Sequence, residues 1–515
     1  MVFKFLGVAA YLAVLLVIGA VASRRMKDVK DYFAGGKRLG FWAVAFSARA
    51  TGESAWLLLG LTGMGATLGL RGMWVVLGEV LGVMGAWLFM SRRFKRLTDR
   101  YDAITVPDYL EERFRDGGHA IRMVAAIALT VFVTIYVSAQ IDATGTAFES
   151  FLGINYFTGA LIGFAVVMIY SVSGGFLAVV WSDVFQGTLM FLGLVGLPLA
   201  GLVVLGGPGE LAARLGAQDP ALLSMAGAGG WTLEAVLATL GLALIGLGFL
   251  GSPQVFVRFI SMRSENEVPK GALVAFVWTL FADAGAVLVG MVGRALLMKP
   301  GQDVIVVFGN GGQDVLPIAV EHLFPAALVG LYIAIVLAAI MSTVDSLLVV
   351  ASSAVVRDWY QKVRHPELRD DQLVGMSRKA TLVLALIALG IALTVAVTAE
   401  ERTVFWFVIF GWAGIAATFC PTIILSLFWP RMTARGALAA MVTGFLCVPL
   451  FKFGMPALPG VGLYFDALSE LPPAFLISGL VGIVVSLLDP RGQARLADVG
   501  EELRGHPERP TAESP

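Results

Sequence analysis

The chain has 515 residues, of which 58% are hydrophobic and 14% charged, and its 37 basic residues match 37 acidic ones. So apolar a composition exceeds what a soluble core needs and describes an integral membrane protein, while the balanced charge and the lack of a basic tract interleaved with aromatics exclude a nucleic-acid binder. Cys420 and Cys447 sit in apolar runs with neither CxxC nor metal-ligand spacing, which excludes chemistry built on paired thiols.

Residues 5–22 are apolar but lack a basic leader and a small-residue cleavage site, so they read as a retained membrane helix rather than a signal peptide. Each membrane helix needs ~20 residues to cross a ~30 Å hydrocarbon core. On that scale hydropathy predicts about thirteen, near 5–22, 41–66, 72–91, 120–150, 156–172, 178–206, 231–260, 268–298, 325–356, 378–398, 403–429, 434–452 and 472–489. With the N-terminus outside, one set of loops collects Arg24 to Arg38, Arg92 to Arg122, Arg258 to Lys270, Arg357 to Lys379, Arg431, Arg435 and the tail. That is 29 of the 37 basic residues, against seven on the other side and Arg49 within a span. The asymmetry orients the chain in the cell membrane with its C-terminus cytoplasmic. Residues 1–489 read as one transmembrane domain and 490–515 as a mobile polar tail.

Two spans are interrupted, the second at "SARATGES" (47–54) and the seventh at "GLGFLGSPQ" (246–254). Pro253 removes a backbone donor, and Gly246, Gly248 and Gly251 ease departure from helical geometry. Unwound backbone at membrane depth persists only where it faces protein or a cavity. If helix two opens one five-helix repeat (about 41–206) and helix seven another (about 231–429), the breaks correspond, which is the signature of an inverted-repeat secondary transporter with a midplane site. The bland alternative is two kinks in packed helices.

Ionisable residues inside spans are functional candidates. Besides Arg49 and Glu53 the spans hold Glu79, Asp142, Asp183, Asp283 and Asp345, an acidic surplus that bound Na⁺ or H⁺ would offset. Glu79 and Asp283 have no polar companions nearby in sequence and read as structural or interfacial. On helix nine, Ala339, Ser342, Thr343 and Ser346 fall at i, i+3, i+4 and i+7, so oxygens line one face with Asp345 beside it. Hard cations favour such oxygens, although membrane hydroxyls more commonly bond the carbonyl four residues back.

"SARATGESAWLLLGLTG" (47–63), "ITVPDYLEERF" (104–114), "GGFLAVVWSDVFQG" (174–187), "GLGFLGSPQVFVRF" (246–259) and "AAIMSTVDSLLVVASSAV" (338–355), with "DYFAGGKRLG" (31–40), run in the order and register of the sodium/solute symporter family, which the chain resembles over about residues 30–360. The resemblance implies a leucine-transporter-type core of two inverted five-helix repeats (helices 2–11), one extra helix before it and two after. It implies a principal sodium site at Ala50, Glu53, Ala339, Ser342 and Thr343, and a possible second site at Asp183, Ser342, Asp345 and Ser346, where an Asp183–Asp345 pair sharing a proton is the alternative.

Family cavity positions map to Trp56, Tyr136 and the seventh-helix break with Phe249 and Gln254. Ile245 and Phe249 stand where members that carry proline have tryptophan and tyrosine. Arg49 would clamp a solute carboxylate while Glu53 or Asp142 holds its amine; a structural Arg49–Glu53 or Arg49–Asp142 pair is the alternative.

The expected function is sodium-coupled symport of a small amino or imino acid, proline-like, using one or two Na⁺ and no organic cofactor. The rivals are symport of another small solute (monocarboxylate, vitamin or sugar), with sodium or protons as coupling ion, and, remotely, a membrane enzyme, for which HExxH, GxSxG and P-loop motifs are missing. The sequence names no macromolecular partner beyond the bilayer.

Overall fold

The computed structural model describes residues 2–23, 35–399 and 403–504. The basic residues Arg24, Arg25, Lys27 and Lys30, the start of the 31–40 motif and the tail beyond 504 lie outside the described residues. Those described form helices, with a lone bridge between Leu39 and Met262 and no strand. In chain order the helices that matter here are α1 (Val2–Ser23), α2 (Phe41–Ala55), α3 (Thr62–Leu68), α4 (Met73–Gly85), α5 (Ser91–Arg100), α6 (Val106–Phe114), α7 (Ala120–Leu152), α8 (Tyr156–Leu205), α9 (Leu233–Ala243), α10 (Pro253–Ser261), α11 (Val268–Leu297), α12 (Ala326–Ser353), α13 (Asp370–Thr398), α14 (Val404–Phe428), α15 (Ala434–Pro449) and α16 (Leu471–Leu487).

Among the described residues ten helices are long and apolar enough to cross a membrane, or eleven when the pair Gly462–Leu468 and Leu471–Leu487, bent by 90°, counts as one span. The 60-residue stretch Phe41–Arg100 enters that count once, yet at 1.5 Å per residue it would run about 90 Å. It turns back at Gly69 (φ 58, ψ −131), a conformation glycine adopts without a Cβ penalty. Neighbours along α11 trace the reversal. Phe41 N donates to Glu267 at 2.8 Å, a Cβ on Gly65 or Gly72 would meet Val287, and a Cβ on Gly271 would meet Trp87. The chain climbs along α11 and descends beside it. Similarly, α8 breaks at Gly175 (φ 58, ψ −177), leaving Tyr156–Met168 as a short apolar helix. The expected thirteen crossings require both of these stretches to be read as two.

α12 is largely apolar apart from its hydroxyl-bearing face and is buried almost continuously from Val329 to Ser353, as a helix surrounded by others must be. It touches α1, α2, α7 and α8, while α11 packs on α2, α3 and α4. One correction concerns the tail. Residues 490–504 contain two short helices, tied down where Tyr101 donates to Glu502 (2.6 Å) and Arg115 to Asp498 (2.5 Å). The tail's acids thus find partners on the α5–α7 connection, and the hydrogen bond from Arg115 holds Asp498 below the usual carboxylate range.

Candidate functional site

Both expected interruptions are present. In the second span Ser54 leaves helical geometry at φ 39, ψ −166. In the seventh, a 3₁₀ segment Leu244–Leu250 ends at Gly251 (φ 157), Ser252 is extended, and α10 restarts with Pro253 in its first turn, where its missing N–H costs nothing. A positive φ on serine costs of order 1–3 kcal/mol and needs support from its surroundings. Tyr136 Oη and Gln140 Nε2 both donate to Ser54 Oγ (3.3 Å each), and Ala55 N donates to Gln140 Oε1 (3.1 Å). Sequence reasoning missed Gln140. The two breaks touch, since a Cβ on Gly52 would lie 2.7 Å from the Phe249 ring.

The helix-nine hydroxyls meet the first break as expected. Ser342 Oγ donates to Ala50 O (2.9 Å), Thr343 Oγ1 donates to Thr51 O (3.2 Å), and both also reach Ala339 O (3.1 and 3.2 Å). Three carbonyls and two hydroxyls therefore converge at buried positions, an all-oxygen donor set that suits a hard cation such as Na⁺. The carbonyl of Thr51 stands in this group beside the expected Ala50, while the side chain of Glu53, expected here through its backbone, pairs with Arg49.

The second group differs from expectation more strongly. Arg258, counted with a basic loop in the sequence, is fully buried in the last turn of α10. Its Nη2 lies 3.1 Å from Asp183 Oδ2, 2.5 Å from Ser346 Oγ and 2.6 Å from Thr51 Oγ1; its Nε donates to Ser47 Oγ (3.0 Å) and its Nη1 to Gln254 O (2.5 Å). Ser47 also donates to Asp183 (2.6 Å), and Ser346 N donates to Asp345 Oδ1 (2.6 Å). The Arg258 guanidinium thus lies between Asp183 and Ser346, two of the positions expected at a second ion, and Asp345 Oδ1 accepts from Ser346 N.

Arg49 is also placed differently from the expected solute clamp. It is buried, ion-paired with Glu53 and 3.6 Å from Glu79, with Phe249 and Trp278 rings at 4.7 and 5.6 Å. Asp142 instead accepts from Tyr156 Oη (2.6 Å) and lines a cavity of about 550 Å³ with Glu149, Ser150, Asn310 and Asp314. That cavity opens at the end of α7 opposite Arg122. Burial raises the Asp314 carboxyl within it, against a hydrogen bond from Ser150. Glu79 and Asp283, which read in sequence as structural or interfacial and without polar companions, are both buried and adjoin Glu53.

The other cavity positions gather around the breaks. Trp56 Nε1 donates to Gly52 O (3.1 Å), and its ring meets Phe405 edge-on at 6.0 Å. Phe249 lies 4.9 Å from Trp412, whose Nε1 donates to Ile245 O (3.1 Å). Gln254 is buried, with both amide atoms free of protein partners among the described residues. On the basic face, Arg122 bridges Asp108 (2.8 Å), Glu111 (2.6 Å) and Asp358 (2.6 Å), joining α6, α7 and the helix after α12.

Two broken helices that meet beside a hydroxyl-bearing third helix, with a polar cavity on one face and an ion-pair cluster on the other, define a secondary transporter. The family model for the sodium:solute symporter family matches residues 32–444, and the chain belongs to that family, which makes it a transporter and not an enzyme. Among its relatives are the high-affinity proline transporter PutP of Bacillus subtilis, 35% identical over 481 residues and covering 92% of this chain and 96% of that protein, and the sodium/proline symporter of Escherichia coli, 33% identical over 502 residues with 96% and 95% covered. In fold the chain is similar to a Na⁺-coupled sialic acid symporter solved substrate-bound and outward-open (TM-score 0.74, 19% identity, 94% of this chain and 97% of that one). It is also similar to MhsT in complex with L-phenylalanine (TM-score 0.52, 18% identity, 86% and 98%).

Proposed function

We propose that the chain is a sodium-coupled symporter that carries a small, proline-like amino or imino acid into the cell by alternating access. The observation that carries this reading is the meeting of Ser342 and Thr343 with the freed carbonyls of Ala50 and Thr51. A cation bound there ties α12 to the broken α2, so occupancy and the position of the break become one event. The solute lies at the breaks against Trp56, Tyr136, Phe249 and Trp412, with the unpartnered Gln254 amide as its polar anchor. Arg122 and its carboxylates form the cytoplasmic closure, and the cavity beside Asp142 opens outside. The names of the curated relatives support proline as the first solute to try; the different residues at Ile245 and Phe249 make a small-solute library the second.

The test is uptake into proteoliposomes. An imposed inward Na⁺ gradient should drive accumulation of labelled proline or a competing amino acid, and dissipating the gradient should abolish it. Uptake indifferent to Na⁺ and driven by a pH gradient would replace sodium with protons as the coupling ion.

A further inference from the structure

Arg49, Glu53, Glu79 and Asp283 come from three different helices, α2, α4 and α11, and all are at most 1% exposed. One oxygen from each carboxylate can be chosen so that all three lie within 4.8 Å of one another, about twice the ~2.4 Å at which oxygen binds a large hard cation. Three carboxylates therefore face one guanidinium. Arg49 pairs with Glu53 and lies 3.6 Å from Glu79, beside the Phe249 and Trp278 rings, and its single positive charge cannot balance three acids. Asp283 is the independent sign that something is missing. It is fully buried, and neither of its oxygens has a hydrogen-bond partner among the described residues. A buried carboxylate with neither a donor nor a cation is costly, and each such group calls for an explanation.

We propose that Glu53, Glu79 and Asp283, with Arg49 as their fixed counter-charge, bind a sodium ion inside the α2–α4–α11 group, separate from the site between α2 and α12. The donors are all oxygen, with no thiol or imidazole, which selects a hard cation over a transition metal. The choice of sodium rests on the coupling proposed above. Because Glu53 follows Thr51 by two residues on the same broken helix, the two ions would share one backbone.

The test is equilibrium binding of ²²Na⁺ to the purified full-length protein at fixed pH. The wild type should bind two ions per chain, Asp283→Asn one and Ser342→Ala one, and the double variant none. Glu79→Gln should reproduce Asp283→Asn, and the ion retained in either variant certifies that it is folded. A single ion in the wild type, lost in Ser342→Ala and kept in Asp283→Asn, overturns this site alone. No sodium binding to the wild type overturns the coupling ion and this site together. Displacement of the Asp283-dependent ion by micromolar ⁴⁵Ca²⁺ overturns sodium as its occupant.

Discussion

Two arginines are buried in this membrane protein within a short reach of the same broken helix, and their surroundings contrast. Arg258 meets one carboxylate, three hydroxyls and a carbonyl, all at hydrogen-bonding distance. Arg49 meets three carboxylates and two aromatic rings, with Nε left without a hydrogen-bond partner. The first group is close to charge balance and is polar enough to satisfy its guanidinium; the second carries surplus acid and too few donors. Buried charge that is fully paired and hydrogen-bonded holds helices together. Buried charge that is not invites a ligand, so the same residue type does structural work in one place and leaves a binding opportunity in the other.

That contrast can be broken or sharpened by mutation. Replacing Arg258 by Met strands Asp183, and breaking such a buried pair should cost about 3–5 kcal/mol, read as loss of thermal stability in detergent. Adding Asp183→Asn should restore part of it, and full stability in the single variant would show that Asp183 does not depend on Arg258. Arg49→Gln should also destabilise, but here Glu79→Gln added to it should be restorative by a coupling of about 0.5–3 kcal/mol, because it removes surplus acid. Additive losses in that cycle would mean that the two groups do not interact.

Smaller effects follow for the polar groups between the arginines. Ser342→Ala should weaken Na⁺ binding at the principal site by about 1.5–3 kcal/mol, tenfold or more in apparent affinity, while Thr343→Ala does the same through Thr51. Gln140→Leu leaves Ala55 N–H unpaired and Ser54 less supported, at about 1–3 kcal/mol, seen as lower stability with wild-type Na⁺ stoichiometry. On the basic face burial raises the Asp108 carboxyl, but the Arg357 and Arg122 guanidiniums outweigh burial and hold it below its ordinary range. With the folded value depressed, its stabilising contribution is present above the unfolded pKa of ~3.9 and is lost as pH falls through the folded one. Thermal stability should therefore fall in acid, and Asp108→Asn should flatten that dependence.

Much of this architecture is legible in the chain. Glycine and proline at 246–253 mark the second break because they act on the local backbone, and the spacing 339, 342, 343 and 346 fixes a common helix face whatever surrounds it. The spacing of Arg49 and Glu53 likewise anticipates their pairing. What the sequence does not carry is the direction in which that pair faces, since periodicity says which residues share a face and not which neighbour it meets. Glu79 and Asp283 look isolated on their own helices; only the packing of α11 against both α2 and α4 assembles them. Arg258 was assigned to a loop because it ends an apolar run shortly before Arg263 and Lys270, and hydropathy windows blur that boundary.

The close approach of α4 to the segment preceding α10 has one more consequence. A Cβ on Gly78 or Gly246 would fall within 2 Å of the other strand of backbone, at Ala243 O and Gly78 O respectively, so these pieces are interlocked and shift as a unit. Glu79 rides on that unit, and moving one elementary charge fully across the membrane is worth about 2.3 kcal/mol for each 100 mV. A voltage jump without solute should therefore give a transient current if the unit tilts with Glu79 charged, and Glu79→Gln should shrink it.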